Sequence, residues 1–144
     1  MVEAALPSKL NVEVVTQEGL LLREEVDEIV APGALGYFGV RPGHTPLLAL
    51  LGNGTLWIRN GTRSQYLTCF GGFCEVLPDR VSILAEIGER AEDIDPQRAE
   101  EAMERAAQRM TTIRDEAGYA DAHEAYVRAV TRLAVAKRHR EHSR

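Results

Sequence analysis

The sequence predicts an α+β fold, an N-terminal antiparallel β-sandwich followed by a C-terminal antiparallel two-helix hairpin. Three observations predict it. Turn-forming residues crowd the first part of the 144-residue chain: 11 of its 12 Gly lie at or before Gly88, and Pro96 alone among the 6 Pro lies after Pro78. Short β-prone runs separated by turn residues fill Lys9 to Ala85. Beyond Asp95 the apolar positions recur at three- and four-residue steps, the period of a helix face. Two parts follow, residues 1–88 as the sandwich and residues 89–144 as the hairpin with a basic tail.

In chain order the β-prone runs are LNVEVVT, REEVDEIVAP, GTLWIRNG, SQYLTCF, FCEVL and RVSILAE. Asn60-Gly61 suits a type I′ hairpin turn because both residues tolerate positive φ, and Pro78-Asp79 marks a second tight reversal. The stretch Gly36 to Leu51, GYFGVRPGHTPLLALL, reads as a loop of functional type running into an aliphatic end. At the junction, Asp95 can accept the free N–H groups of a first helical turn, and Pro96 suits its first position because its missing donor is not needed there. Ala99, Ala102, Met103, Ala106, Met110 and Ile113 form one helical stripe. A second runs through Ala122, Ala125, Tyr126, Ala129, Val130, Leu133 and Ala136, with the turn placed in the intervening RDEAGYAD. Stripes dominated by Ala allow close approach but bury little apolar area, so the hairpin is expected to open at a cost within reach of a ligand.

Composition narrows the function. A net charge of −5 opposes general nucleic-acid binding, which needs a basic surface. The end is nonetheless cationic: Arg128, Arg132, Lys137, Arg138, Arg140 and Arg144 face the single acid Glu141 after Ala125. The N-terminus lacks a basic segment followed by an apolar core, and no aliphatic run approaches the ~20 residues that cross a bilayer, so an unexported soluble chain is expected. Cys69 and Cys74 are too few for a disulfide framework and read as small buried hydrophobes. Glu24 and Glu25 read as solvated acids.

Candidate chemistry lies mainly on the two helices. Arg98 and Arg105 are seven apart and share a face, and Arg128 and Arg132 are four apart and share another. In a closed hairpin the two pairs can converge, and guanidinium groups bind phosphate oxygens in bidentate fashion. With Glu89 and Asp95 they could hold a nucleotide; from spacing alone, solvated arginines are the expectation. His44 has no His, Cys or carboxylate at metal-ligand spacing, and a role in bonding its own turn is the expectation. No nucleophile elbow, Walker loop, zinc-protease helix or dinucleotide fingerprint is present, so no catalytic residue and no catalytic cofactor or metal are expected.

Three stretches together carry a family resemblance. They are Gly36, Gly39, Pro42, Gly43, His44, Pro46, Leu47 and Leu48 as GxxGxxPGHxPLL; the run GGFCEVLPDRVSILAE; and ERAEDIDPQRA from Glu89 to Ala99. In order and spacing the chain resembles the epsilon subunit of bacterial F-type ATP synthases from about Lys9 to Ala136. The resemblance implies a central-stalk rotor part without catalysis of its own, whose sandwich sits on the gamma subunit and touches the c ring. It implies coupling of proton translocation to ATP synthesis. It also implies that the hairpin can extend into the catalytic head, meet the alpha and beta subunits and inhibit ATP hydrolysis. The implied location is peripheral, on the cytoplasmic face of the bacterial inner membrane, with membrane contact only through the complex.

Members that sense ATP carry an IDxxRA motif and arginines on both helices, which this chain matches at Glu89, Arg90, Asp95, Arg98, Arg105, Arg128 and Arg132. The resemblance therefore implies regulatory ATP bound to the compact hairpin. The other reading is a purely structural rotor subunit that senses no nucleotide. Two features depart from the family pattern. Tyr37 stands where many members have an acidic residue, so that packing or a hydroxyl hydrogen bond must replace a charged contact. The tail KRHREHSR after Ala136 is longer and more basic than usual and has no assigned role.

Overall fold

The computed structural model describes residues 5–142. Seven strands come first: β1 (Leu10–Thr16), β2 (Gly19–Val26), β3 (Glu28–Gly33), β4 (Gly36–Val40), β5 (Leu47–Asn60), β6 (Arg63–Leu77) and β7 (Arg80–Arg90). A 3-10 turn at Ala91–Asp93 leads into helices α1 (Pro96–Thr112) and α2 (Glu116–His142). The strands hydrogen-bond in the order β2-β1-β7-β6-β5-β3-β4. All seven contribute to one apolar core that includes Val12, Val26, Ile29, Val40, Ile58, Cys74 and Ile83. The sheet therefore folds over on itself as a sandwich, the predicted class. Pairing is antiparallel except for β1 with β7, which run parallel from Asn11↔Arg80 to Val15↔Leu84. These strands lie at opposite ends of the domain's chain, so no short hairpin dictates their direction.

Several boundaries differ from those the sequence suggests, each for a local reason. REEVDEIVAP is split at Asp27, whose carboxylate accepts from Lys9 Nζ at 2.6 Å and from the Gly61 amide at 2.6 Å. The Lys9 bond, then the Gly61 amide, holds that carboxyl below its ordinary range. The β5–β6 turn has Gly61 and Thr62 at its centre, with Asn60 paired to Arg63. Gly61 has φ of 62° while no non-Gly residue has positive φ among the described residues, so the turn is not type I′. Asn60 instead turns its side-chain oxygen to Lys9 Nζ at 2.8 Å.

Most of the expected loop Gly36 to Leu51 is strand; Arg41 to Pro46 is what remains of it. The His44 ring reads as expected: Nδ1 lies 2.6 Å from the Thr45 carbonyl and so must donate to it. Tyr37 resolves the question of its hydroxyl, which accepts from the Thr55 amide at 3.0 Å. That amide lies where the β3–β5 register shifts, between Val30↔Trp57 and Gly33↔Leu51, so the tyrosine closes a gap in the ladder.

Strand β6 faces the core through Leu67 and Cys69 and then through Cys74 and Val76. The inward parity changes across Gly71 and Gly72, at φ of 72° and 114°. Between Tyr66 and Phe70 every residue is buried. Leu67 and Cys69 point into the sandwich, while Tyr66 joins Val135 and Ala136 of α2 on the outer face, with Ala91 and Ile94. Both cysteines are free and buried, as expected, and burial pushes their thiols up to about 12.

Asp95 caps α1 as the sequence indicates, accepting from the Gln97 amide at 3.0 Å and the Arg98 amide at 3.4 Å, with Pro96 in the first turn. The helix–helix turn is shorter than RDEAGYAD. Asp115 accepts the Gly118 amide at 2.9 Å and so starts α2 almost at once, which puts Gly118 inside a helix. The interface is made of small residues: Ala99 and Ala106 of α1 and Ala122 and Ala129 of α2 are buried, while Ala136 is buried in the cluster with Tyr66. Val130 does not belong to it, being 39% exposed, and Thr131 and Val135 are buried instead. Strand β7 continues through Glu89 and Arg90, two residues beyond the expected division at Gly88.

Gly72 gives the fold a sharp test. A Cβ there would lie 1.9 Å from the Leu84 carbonyl oxygen, on a backbone that side chains rarely adopt. Gly72→Ala should therefore destabilise the sandwich by about 3 kcal/mol or more, read as a lowered midpoint in urea unfolding, whereas a loss under ~1 kcal/mol would show that β6 bends elsewhere.

Candidate functional site

The end of β7 and the two helices enclose a cavity of about 370 Å³. Its wall includes Glu89, Asp95, Arg98, Arg105 and Arg132, five of the seven residues expected at a nucleotide site. Each arrives by a simple local device. Glu89 is the penultimate residue of β7, opposite Thr68 of β6. Asp95 is fixed by its capping bonds, and Arg98 and Arg105 follow at helical spacing on α1. Arg132 comes from α2, which the Ala interface brings close.

One carboxylate ties the helix to the sheet. Glu89 Oε1 accepts from Arg132 Nε at 2.8 Å and from Thr68 Oγ1 at 3.0 Å. About 30% of each partner in the Glu89–Arg132 pair is exposed, at 31% and 29%, so the pair orients more than it stabilises. Only Nε–H of Arg132 is used in that bond, which leaves the Nη donors for another oxyanion. Asp93 and Glu101 also line the wall.

Two expected residues stand outside the lining. Arg90 turns away and donates from its guanidinium to the Leu21 carbonyl. Arg128 donates to Glu124 at 2.8 Å, one turn earlier on α2, and lays its guanidinium over the Phe70 ring, 5.9 Å from the centroid. Its Nε is buried with no hydrogen-bond partner. Arg132 shares the same ring at 5.3 Å. Phe70 is thus a platform for both α2 arginines, a role that sequence spacing did not reveal. Its only advance signal is a strand, SQYLTCF, apolar on both faces where a sandwich strand needs one.

Chemically the cavity offers two kinds of group. Guanidiniums at Arg98, Arg105 and Arg132 suit phosphate oxygens; carboxylates at Glu89, Asp93, Asp95 and Glu101 suit hydroxyl or amino donors. No described helix is long and apolar enough to cross a membrane.

Comparison with known proteins accords with this architecture. The family model for the beta-sandwich domain of the ATP synthase Delta/Epsilon chain matches residues 9–91, and that for its long alpha-helix domain matches residues 92–137. The ATP synthase epsilon chain of Solibacter usitatus is 47% identical over 131 residues, 91% of this chain and 98% of the relative. That of Nitratidesulfovibrio vulgaris is 42% identical over 130 residues, 90% and 97% of the two chains. Among solved structures, a chain of the Euglena gracilis mitochondrial ATP synthase has a TM-score of 0.81 at 23% identity, covering 93% of this chain and 85% of its own. A chain of the Tetrahymena thermophila central stalk and c ring has a TM-score of 0.63 at 20% identity, covering 91% and 99%. With two consecutive family domains and close relatives spanning nearly the whole chain, this protein belongs to the ATP synthase epsilon-chain family.

Proposed function

We propose that the chain is a non-catalytic rotor subunit whose helical hairpin is a nucleotide-responsive brake. The sandwich would sit on the gamma subunit and against the c ring and help couple proton translocation to ATP synthesis. Its place in the cell would be peripheral, at the cytoplasmic face of the inner membrane. Extended into the catalytic head, the hairpin would meet the alpha and beta subunits and inhibit hydrolysis.

The observation that carries the sensing step is the cavity between β7 and the helices. Its volume falls within the range of small-molecule sites, and its guanidiniums come from both helices. ATP bound there through its phosphates would bridge Arg98 and Arg105 of α1 to Arg132 of α2, while the carboxylates accept from ribose or base. A ligand that binds only the compact form stabilises it by RT ln(1 + [L]/Kd). Occupancy thereby sets the fraction of subunits able to extend.

Titration calorimetry of ATP into the isolated chain should give saturable heat at one site. Arg98→Ala or Arg105→Ala should weaken binding by about tenfold or more each, the worth of a charge-assisted hydrogen bond. Arg90→Ala should change affinity less than about twofold, because the side chain points away from the cavity. Absence of heat with the unaltered chain would remove the sensor and leave a purely structural subunit. The brake is tested separately: a complex assembled with a chain ending at Ile94 should hydrolyse ATP several-fold faster than one with the full chain, and equal rates would rule out inhibition by the hairpin.

A further inference from the structure

The family model for the helix domain ends at residue 137, yet α2 continues to His142. We infer that this extra segment is a latch, in which Arg138 and His142 grip Tyr66 of β6 and hold the hairpin compact without any ligand. The inference rests on the reading that the hairpin opens; the contacts themselves do not.

Tyr66 is 6% exposed, and its burial depends on α2. The Arg138 guanidinium lies over its ring at 5.6 Å from the centroid. The His142 ring packs beside it at 5.2 Å between centroids, tilted by 56°. His142 Nδ1 lies 2.9 Å from the Arg138 carbonyl, which can only accept, so Nδ1 carries the hydrogen. In the neutral ring Nε2 is then the lone-pair nitrogen, and it lies 3.2 Å from the Tyr66 hydroxyl, which donates to it. The tyrosine is held at its ring and at its polar tip by two residues four apart on one helix.

The position gives the grip leverage. Tyr66 packs with Val135, Ala136, Ala91 and Ile94, and Trp57 of β5 lies against the same cluster. These residues come from the sheet, the junction and the last full turns of α2, the far end of the helix from the Ala122 contact. The end of α2 is pinned at the junction itself, so the hairpin opens only when this cluster releases. The basic tail thus gains a role in the isolated chain that its charge alone did not suggest.

Trp57 is the sole tryptophan of the sequence and reports directly on this contact. The test uses the full-length chain without nucleotide and the double variant Arg138→Ala/His142→Ala, which keeps helix length and propensity. Opening is read from Trp57 emission and from hydrogen exchange at the Val135 and Ala136 amides. The variant should exchange there about tenfold faster and show red-shifted Trp57 emission; Tyr66→Phe, which loses the hydroxyl but keeps the ring, should give about threefold. Exchange within twofold of the unaltered chain in both variants would overturn the latch. Faster exchange with unchanged ATP hydrolysis by the assembled complex would support the latch and instead count against the brake.

Discussion

The double burial of β6 between Tyr66 and Phe70 is the constraint from which the arrangement of the helices follows. Leu67 and Cys69 complete the sandwich core, but the intervening side chains would leave an apolar strip on the outer sheet. Helix α2 covers that strip. It does so with Val135 and Ala136 against Tyr66 and with two guanidiniums over Phe70, so the aromatic residues are met by methyl groups at one point and by cations at the other. Placing α2 also places Arg132 beside Glu89, and Glu89 stands opposite Thr68 in the same strip. The nucleotide-sized cavity is a by-product of this docking: α1, held on α2 through Ala99 and Ala106, brings Arg98 and Arg105 to its other wall.

The polar groups at this junction do two things at once. Asp95 starts α1 and lines the cavity; Glu89 ends the sheet and orients Arg132. Neither arrangement is deeply buried, and a partly exposed ion pair contributes little net stability. What they supply is direction. An arginine held through Nε presents its remaining donors along a fixed axis, which a free arginine on a helix surface does not.

Much of this was legible before the fold was known, and the misses have physical causes. Hairpin turns, the Asp95-Pro96 cap and the helical stripes follow from local chemistry, and local chemistry is what a sequence displays. Of the seven residues expected at a nucleotide site, five, Glu89, Asp95, Arg98, Arg105 and Arg132, line one cavity. Arg90 and Arg128 escaped it for reasons that are not local: Arg90 finds a carbonyl across the sheet at Leu21, and Arg128 finds an aromatic ring on β6. The division of REEVDEIVAP at Asp27 likewise depends on Lys9 and Gly61, distant in sequence. Val130 was assigned to the core from a stripe that assumes one buried face, whereas α2 has two neighbours, α1 and the sheet, and its buried set widens to Thr131 and Val135.

The alanine packing of the hairpin suits the opening proposed for it. Buried Ala contributes about 0.8 kcal/mol per methyl group, so the buried alanines Ala99, Ala106, Ala122 and Ala129 add only a few kcal/mol between them. Reversing a two-state equilibrium from 1:99 to 99:1 takes about 5.5 kcal/mol of differential binding. A leucine-packed hairpin would put that change beyond a single small ligand, since each larger side chain adds its own burial. If the hairpin opens as proposed, alanine packing would keep the two states close enough for a few guanidinium–phosphate bonds, or two residues gripping a tyrosine, to decide between them.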